Sequence, residues 1–242
     1  MRLGSLFVGL AGLLFSGSAQ AASYIQLYSG TVVDPIQYTN AGGDHPYSGP
    51  NLEPGVSAPG ASLSNAYLYR ADLEGANLSG AELGEANLKS ANLDGANLDG
   101  ANLYGAGLYS VSLENASLIG ANLPTNITWA DLRRTDLQYA NFGPSGILTG
   151  TDFEDADLRW ANFGVYSFTY VHLEGANLSG TDLSRSGDLD ETFGRPYYSR
   201  HTKFNLGSYF DPVAANWILL PEPTTGLLLG LGLLGVAVRR RV

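Results

Sequence analysis

Cysteine is absent from the 242 residues, which excludes disulfides, thiolate metal sites and a cysteine nucleophile, and leaves packing as the source of stability. Positive charge is scarce: 13 Lys and Arg stand against 23 Asp and Glu, for a net charge of −10. Phosphate backbones are held by Lys and Arg, so nucleic acid is not an expected partner. The three histidines, His45, His172 and His201, are too far apart for a ligand spacing. Serines occur without a Gly-X-Ser-X-Gly elbow. No catalytic residue, metal site or cofactor is expected, and the chain reads as a non-enzyme. Glycine is the residue in excess, at 31 positions without a Gly-X-Y period, so turns rather than a collagen helix must account for it.

Long apolar runs are confined to the two ends. Met1-Arg2, the run Leu6 to Phe15 and the small-residue site Ala19-Gln20-Ala21 predict a signal peptide over 1–21. At the other end Pro221, Glu222 and Pro223 precede an apolar run from Gly226 to Val238, closed by Arg239, Arg240 and Arg241. As a helix that run would be roughly 20 Å long, short for a ~30 Å hydrocarbon core, so a transient inner-membrane anchor is expected, with the arginines on the cytoplasmic side. This tail resembles the PEP-CTERM sorting signal. The resemblance implies an exosortase-type sorting protease as partner and export across the inner membrane, to the periplasm, outer surface or extracellular matrix of a Gram-negative-type bacterium.

Between the ends runs one repeat. Leu63, Leu68, Leu73 and Leu78 open a series that continues every five residues to Leu123, with Ala two residues ahead of most of them. Period five belongs to neither helix nor long strand, so the repeat is itself the structural unit. Residues two apart share a face of extended chain, which turns Ala and Leu inward together, and the following polar or glycine pair makes a corner. The register breaks twice, with nine residues from Leu123 to Leu132 and eleven from Phe142 to Phe153, and loops or bulges are expected there. Tyr166 falls in an Ala position, so either the column widens or the ring turns outward.

Ala96-Asn97-Leu98-Asp99-Gly100 repeats nearly word for word the Ala-(Asn/Asp)-Leu-X-X consensus of the pentapeptide-repeat family, which this chain resembles. The resemblance implies an all-β fold, a right-handed quadrilateral β-helix in which four repeats make one turn, with short amino- and carboxy-terminal caps. The resulting division is signal peptide 1–21, cap region 22–60, solenoid 61–185, cap region 186–220 and sorting tail 221–242. Tyr24, Ile25, Val32, Val33 and Ile36 are expected in the first cap. Phe193, Phe204, Phe210 and Trp217 are expected in the second, where Asp211-Pro212 suits a helix start.

Counting twenty residues per turn aligns outward positions. Tyr69, Lys89 and Tyr109 share one column, which would set Lys89 between aromatic faces. Glu74, Asp94 and Glu114 share another, continued by Arg133, Glu154 and Glu174 if the short break keeps phase. Stacked like charges repel by about 1 kcal/mol per pair even in water, so this wall is the candidate binding face, for a basic protein or weakly held divalent cations. Outward aromatics such as Tyr69, Tyr104, Tyr109 and Trp160 suit sugar rings. The function expected is an exported, non-catalytic structural or interaction module of the cell surface or exopolysaccharide matrix, with polysaccharide or a basic protein as partner. The alternative is an acidic DNA mimic of the gyrase-protecting type.

Overall fold

The repeat closes into stacked square turns because each core Leu is followed by a corner. At the first of these the Ala66 N–H donates to the Leu63 carbonyl at 3.1 Å, and Asn65 between them has φ 63°. A third turn position with positive φ favours glycine, and Gly75, Gly80, Gly95 and Gly100 occupy it in later repeats. The computed structural model describes residues 23–26, 32–33, 36–37, 39, 44–204 and 211–220. The segments read as signal peptide and sorting tail, with Leu27, Tyr28 and Phe210, lie outside the described residues.

Successive turns pair in parallel. Ser62 bridges Glu82, Glu82 bridges Asn102 and Asn102 bridges Asn122, a constant offset of twenty. Each coil's N–H groups meet carbonyls of its neighbours, as Leu63 N–H does Glu82 O at 2.7 Å. Inside, the Leu and Ala columns are sealed: Leu98 is 0% and Ala96 1% exposed. Leu52, Val56 and Ala58 extend the buried column upstream. Thr135, Thr151 and Thr181 stand in Ala positions and donate their buried hydroxyls to the carbonyls of Leu132, Ile127 and Leu178 at 2.6, 2.7 and 2.6 Å.

Neither register break opens a loop. Ile127 enters the core four residues after Leu123, and Leu148 six residues after Phe142, both fully buried. One side of the square is therefore a residue short and one a residue long. Bridges shift accordingly from Asn102↔Asn122 to Asn122↔Asn141, then to Asn141↔Asn162, and return to twenty at Asp152↔His172. On the long side β3 (Ser145–Ile147) pairs regularly with β4 (Val165–Ser167). Tyr166 points inward at 1% exposure, donates its hydroxyl to the Phe142 carbonyl, and has its phenol pushed up to about 12 by burial. Around it Phe142 stacks on Phe163 at 4.1 Å and Phe163 meets Phe168 edge-on at 5.4 Å.

At the first end β1 (Tyr24–Ile25) pairs antiparallel with β2 (Val32–Val33), while Tyr24 bridges Leu52 and Gln26 bridges Ala71, so this segment covers the open edge of the first coil. At the other end β5 (Asp182–Leu183) pairs with β7 (Lys203–Phe204), and β6 (Tyr197–Tyr198) with β8 (Ile218–Leu219). Trp217 is buried there and meets Phe204 edge-on at 5.7 Å. Two expectations are corrected. Asp211-Pro212 starts a single turn rather than a helix, with Val213 N–H on Asp211 Oδ1 at 2.9 Å, and Asn216 at φ 60° ends it. Phe193 is half exposed and stacks on Tyr170 instead of filling the cap. Among the described residues no helix is long and apolar enough to cross a membrane.

Several corners hold bulky residues in the left-handed region, Tyr139 at φ 59° among them, itself 61% exposed. Left-handed geometry costs an L-residue about 1 to 2 kcal/mol, against roughly 0.5 to 1 for ordering glycine, so Tyr139→Gly is expected to gain about 0.5 to 1 kcal/mol in thermal melting. A loss would mean that the ring's remaining contacts outweigh the strain.

Candidate interaction surface

At many coils the Asn or Asp before the core residue has a defined local task. In Asn77, Asn87, Asn97 and Asp131 the side-chain Oδ1 accepts the N–H two residues on, at 2.9 to 3.2 Å. That N–H faces outward at the corner and would otherwise depend on water. Where Ser112 and Ser117 are too short for this, the preceding coil supplies the carboxylate. Asp94 Oδ1 accepts Glu114 N–H at 2.9 Å and Ser112 Oγ–H at 2.6 Å, and Asp99 Oδ1 accepts Ile119 N–H at 3.0 Å and Ser117 Oγ–H at 2.5 Å.

The expected acidic column is in register. Gly75 N–H meets Asp94 O, Gly95 N–H meets Glu114 O, Asn115 N–H meets Arg133 O, Arg134 N–H meets Glu154 O and Asp155 N–H meets Glu174 O, all within 3.0 Å. Glu74, Asp94, Glu114, Arg133, Glu154 and Glu174 thus stand one per coil, but they are not equivalent. Asp94 serves the backbone. Glu114 is paired with Arg133 at 3.0 Å and with Arg134. Glu174 accepts the Arg195 N–H at 3.0 Å. Arg133 also holds Asp131 at 2.7 Å. Burial pushes the Asp131 carboxyl up, yet the hydrogen bonds and charge of Arg133 together keep it below its ordinary value. Glu74 and Glu154 are the members left exposed without such duties. No group of three or more His, Asp or Glu among the described residues is placed to hold a metal ion.

The profile of pentapeptide repeats matches eight copies over residues 55–84, 86–123 and 147–185. The chain is a pentapeptide-repeat protein. The matched copies stop and resume on either side of 124–146, the segment that holds the short side and most of the long one. A second profile, the PEP-CTERM protein-sorting motif, matches residues 220–241, so this pentapeptide-repeat protein carries a signal for export. Solved structures of the family are similar. HetL from the cyanobacterium Nostoc sp. strain PCC 7120, involved in heterocyst differentiation regulation, shares 28% identity over 61% of this chain and 72% of its own (TM-score 0.29). A pentapeptide repeat protein from the Arabidopsis thaliana thylakoid lumen shares 30% over 50% and 70% (TM-score 0.24). QnrB1, a plasmid-mediated fluoroquinolone resistance protein, shares 17% over 75% and 96% (TM-score 0.38). No curated protein matches. The family's right-handed quadrilateral β-helix is the fold of this chain.

On the other walls of the pentapeptide-repeat scaffold the outward chemistry differs. Lys89 shares a column with Tyr69 and Tyr109, but its stem lies over Gly107, and the cation–π contact formed is Arg70 over Tyr69 at 5.2 Å. Tyr104, Tyr109 and Trp160 are about half exposed or more. The Trp160 ring lies against the corner of Gly180, leaving no room for a side chain there. The histidines stand apart. His45 is buried in the first cap, where Nδ1 accepts the Tyr47 N–H at 3.1 Å and Nε2 therefore donates to Ser64 O at 2.9 Å. His172 lies beside Phe193, and His201 beside Trp160.

An asparagine ladder escaped the sequence reading. Asn102 donates to Glu82 at 2.8 Å, Asn141 to Asn122 at 3.2 Å and Asn162 to Asn141 at 3.1 Å, with Asp182 held by Lys203 at 2.9 Å below. Its signal is present in the sequence, because Asn102 and Asn122 are twenty apart.

Proposed function

We propose that this pentapeptide-repeat protein is an exported, non-catalytic interaction module of the cell surface or exopolysaccharide matrix. The observation that carries this reading is the variety of outward chemistry on a repeating core: a column of carboxylates interrupted by Arg133 on one wall, an asparagine ladder on another, exposed aromatics at corners. A scaffold whose inner columns repeat while its walls differ is suited to recognition, since flat β-walls present side chains at fixed spacing without rearrangement. The sorting motif supports a destination outside the inner membrane, with an exosortase-type protease as processing partner and polysaccharide or a basic protein as ligand. That destination separates the chain from cytoplasmic gyrase and disfavours DNA mimicry.

Fractionation of the tagged full chain in a host with the sorting protease is expected to recover it outside the inner membrane. A cytoplasmic pool that protects gyrase would overturn the reading. Within it, the acidic wall is assigned to a basic partner through Glu74 and Glu154. A Glu74→Gln, Glu154→Gln variant leaves Asp94 and Glu114 in their structural roles, so its melting is expected to shift by less than about 1 kcal/mol, while retention on the surface at low salt falls. Unchanged retention would remove the wall from the proposal.

A further inference from the structure

The asparagine ladder ends in a groove of about 390 Å³ lined by Asn141, Gly143, Pro144, Asn162, Gly164, Asp182 and Arg185, with Phe163 beneath. The groove exists because two successive coils have glycine after the core residue. A Cβ on Gly164 would meet the Pro144 carbonyl group, and Gly143 has φ 82°. The close passage of the two coils therefore requires bare backbone, and bare backbone leaves the floor open.

The polar groups on this floor are unevenly satisfied. Asn141 Oδ1 accepts both Gly143 N–H at 3.1 Å and Asn162 Nδ2 at 3.1 Å, which fixes the direction of the ladder. Asn162 consequently has an amide hydrogen and its carbonyl oxygen left for a ligand. Asp182 is already occupied: Ser184 donates N–H at 3.1 Å and Oγ–H at 2.6 Å, and Lys203 donates Nζ–H at 2.9 Å, which holds the carboxyl below its ordinary value. Arg185 lies exposed at the groove's edge with no carboxylate within ion-pair distance among the described residues. Beside a neutralised Asp182, its guanidinium makes this groove locally positive on a chain of net charge −10.

We propose that this groove binds an acidic saccharide, with the sugar carboxylate on Arg185 and its hydroxyls on the Asn162 amide. A planar guanidinium takes a carboxylate through two parallel hydrogen bonds, and an amide both donates to and accepts from a hydroxyl. The proposal rests on the matrix reading above and gives it a ligand class.

The test is calorimetric titration of the full chain at low salt with trigalacturonate, with the uncharged galactose trisaccharide and with inorganic phosphate. Trigalacturonate is expected to bind at least tenfold more tightly than either. Arg185→Gln is expected to weaken it at least tenfold, with melting unchanged because the side chain is exposed. Arg159→Gln, on another wall and held by Asp157 at 2.6 Å, is expected to leave binding intact. Absence of trigalacturonate binding, equal binding by Arg185→Gln, or phosphate binding as tightly would overturn the assignment. Surface fractionation is scored separately, so a surface-located chain that ignores uronates discards the groove and keeps the matrix reading, whereas a cytoplasmic chain discards that reading itself.

Discussion

Leu98→Asn is expected to lower stability by about 3 to 6 kcal/mol, combining the lost burial of a Leu side chain with an amide left unsatisfied. Leu98 is fully buried mid-column, between the coils of Leu78 and Leu118. The core columns of these coils are built of Leu, Ala and Val side chains, and their backbone groups are engaged in the inter-coil ladder. A solenoid transmits stability through nearest-neighbour contacts, so one failed coil uncouples the coils on either side. Hydrogen exchange should lose protection first around 93–103 and then outward, ahead of global melting. Ile119→Asn, in the adjacent coil and on the outer face at 37% exposure, is the matched control, with an expected cost under about 1 kcal/mol. Equal effects at the two sites would contradict the inward assignment of the Leu column.

That assignment was legible because periodicity is a property of the whole series and survives local exceptions. The same holds for the acidic column, whose phase across the short side follows from one missing residue being matched by one extra in the next coil. What the sequence concealed depends on single side chains. Ile127 and Leu148 stand off the five-residue register, so counting alone left loops or bulges open where the structure has one short side and one long one. Tyr166 left two conformations open, and the choice depends on an absent side chain at Gly146, a coil away. The carboxylates looked like one class because they share polar outer positions. Asp94 and Asp99 are structural only because Ser112 and Ser117, in the following coil, are too short to cap their own corners.

This division of labour bears on function. Carboxylates that receive backbone N–H groups are bound to the scaffold, and their charge is offset by donors that never leave. Binding capacity must be sought in groups that the scaffold leaves wholly or partly unused: Glu74 and Glu154 on the acidic wall, Arg185 and the free half of the Asn162 amide at the foot of the asparagine ladder. Composition weights all carboxylates alike, so it marks the acidic wall most strongly and the groove not at all.

Gly146→Ala is expected to cost about 2 to 3 kcal/mol, the upper range for forced overpacking of a rigid core. Gly146 lies in β3 opposite Tyr166 of β4, and its φ is not in the left-handed region, so backbone strain contributes nothing. Space decides the outcome. A Cβ there would collide with the Thr125 carbonyl oxygen and come within 2.6 Å of the Tyr166 ring. Neither neighbour can move freely. The Thr125 carbonyl accepts the Ile147 N–H at 2.8 Å, and the Tyr166 ring is pinned by its hydroxyl on Phe142 and by edge contacts with Phe142 and Phe163 at 6.2 and 6.0 Å. Gly187→Ala is the control, since nothing lies within 4 Å of where its Cβ would stand, and it is expected to be neutral or slightly stabilising. Adding Tyr166→Leu to Gly146→Ala removes the ring conflict but leaves the carbonyl, so the double variant should not regain parental stability. If Gly146→Ala melts with the parent, the inward Tyr166 and the pairing of β3 with β4 are both wrong. If the double variant is fully rescued, the Thr125 carbonyl is not the obstacle and the ring alone sets the demand for glycine.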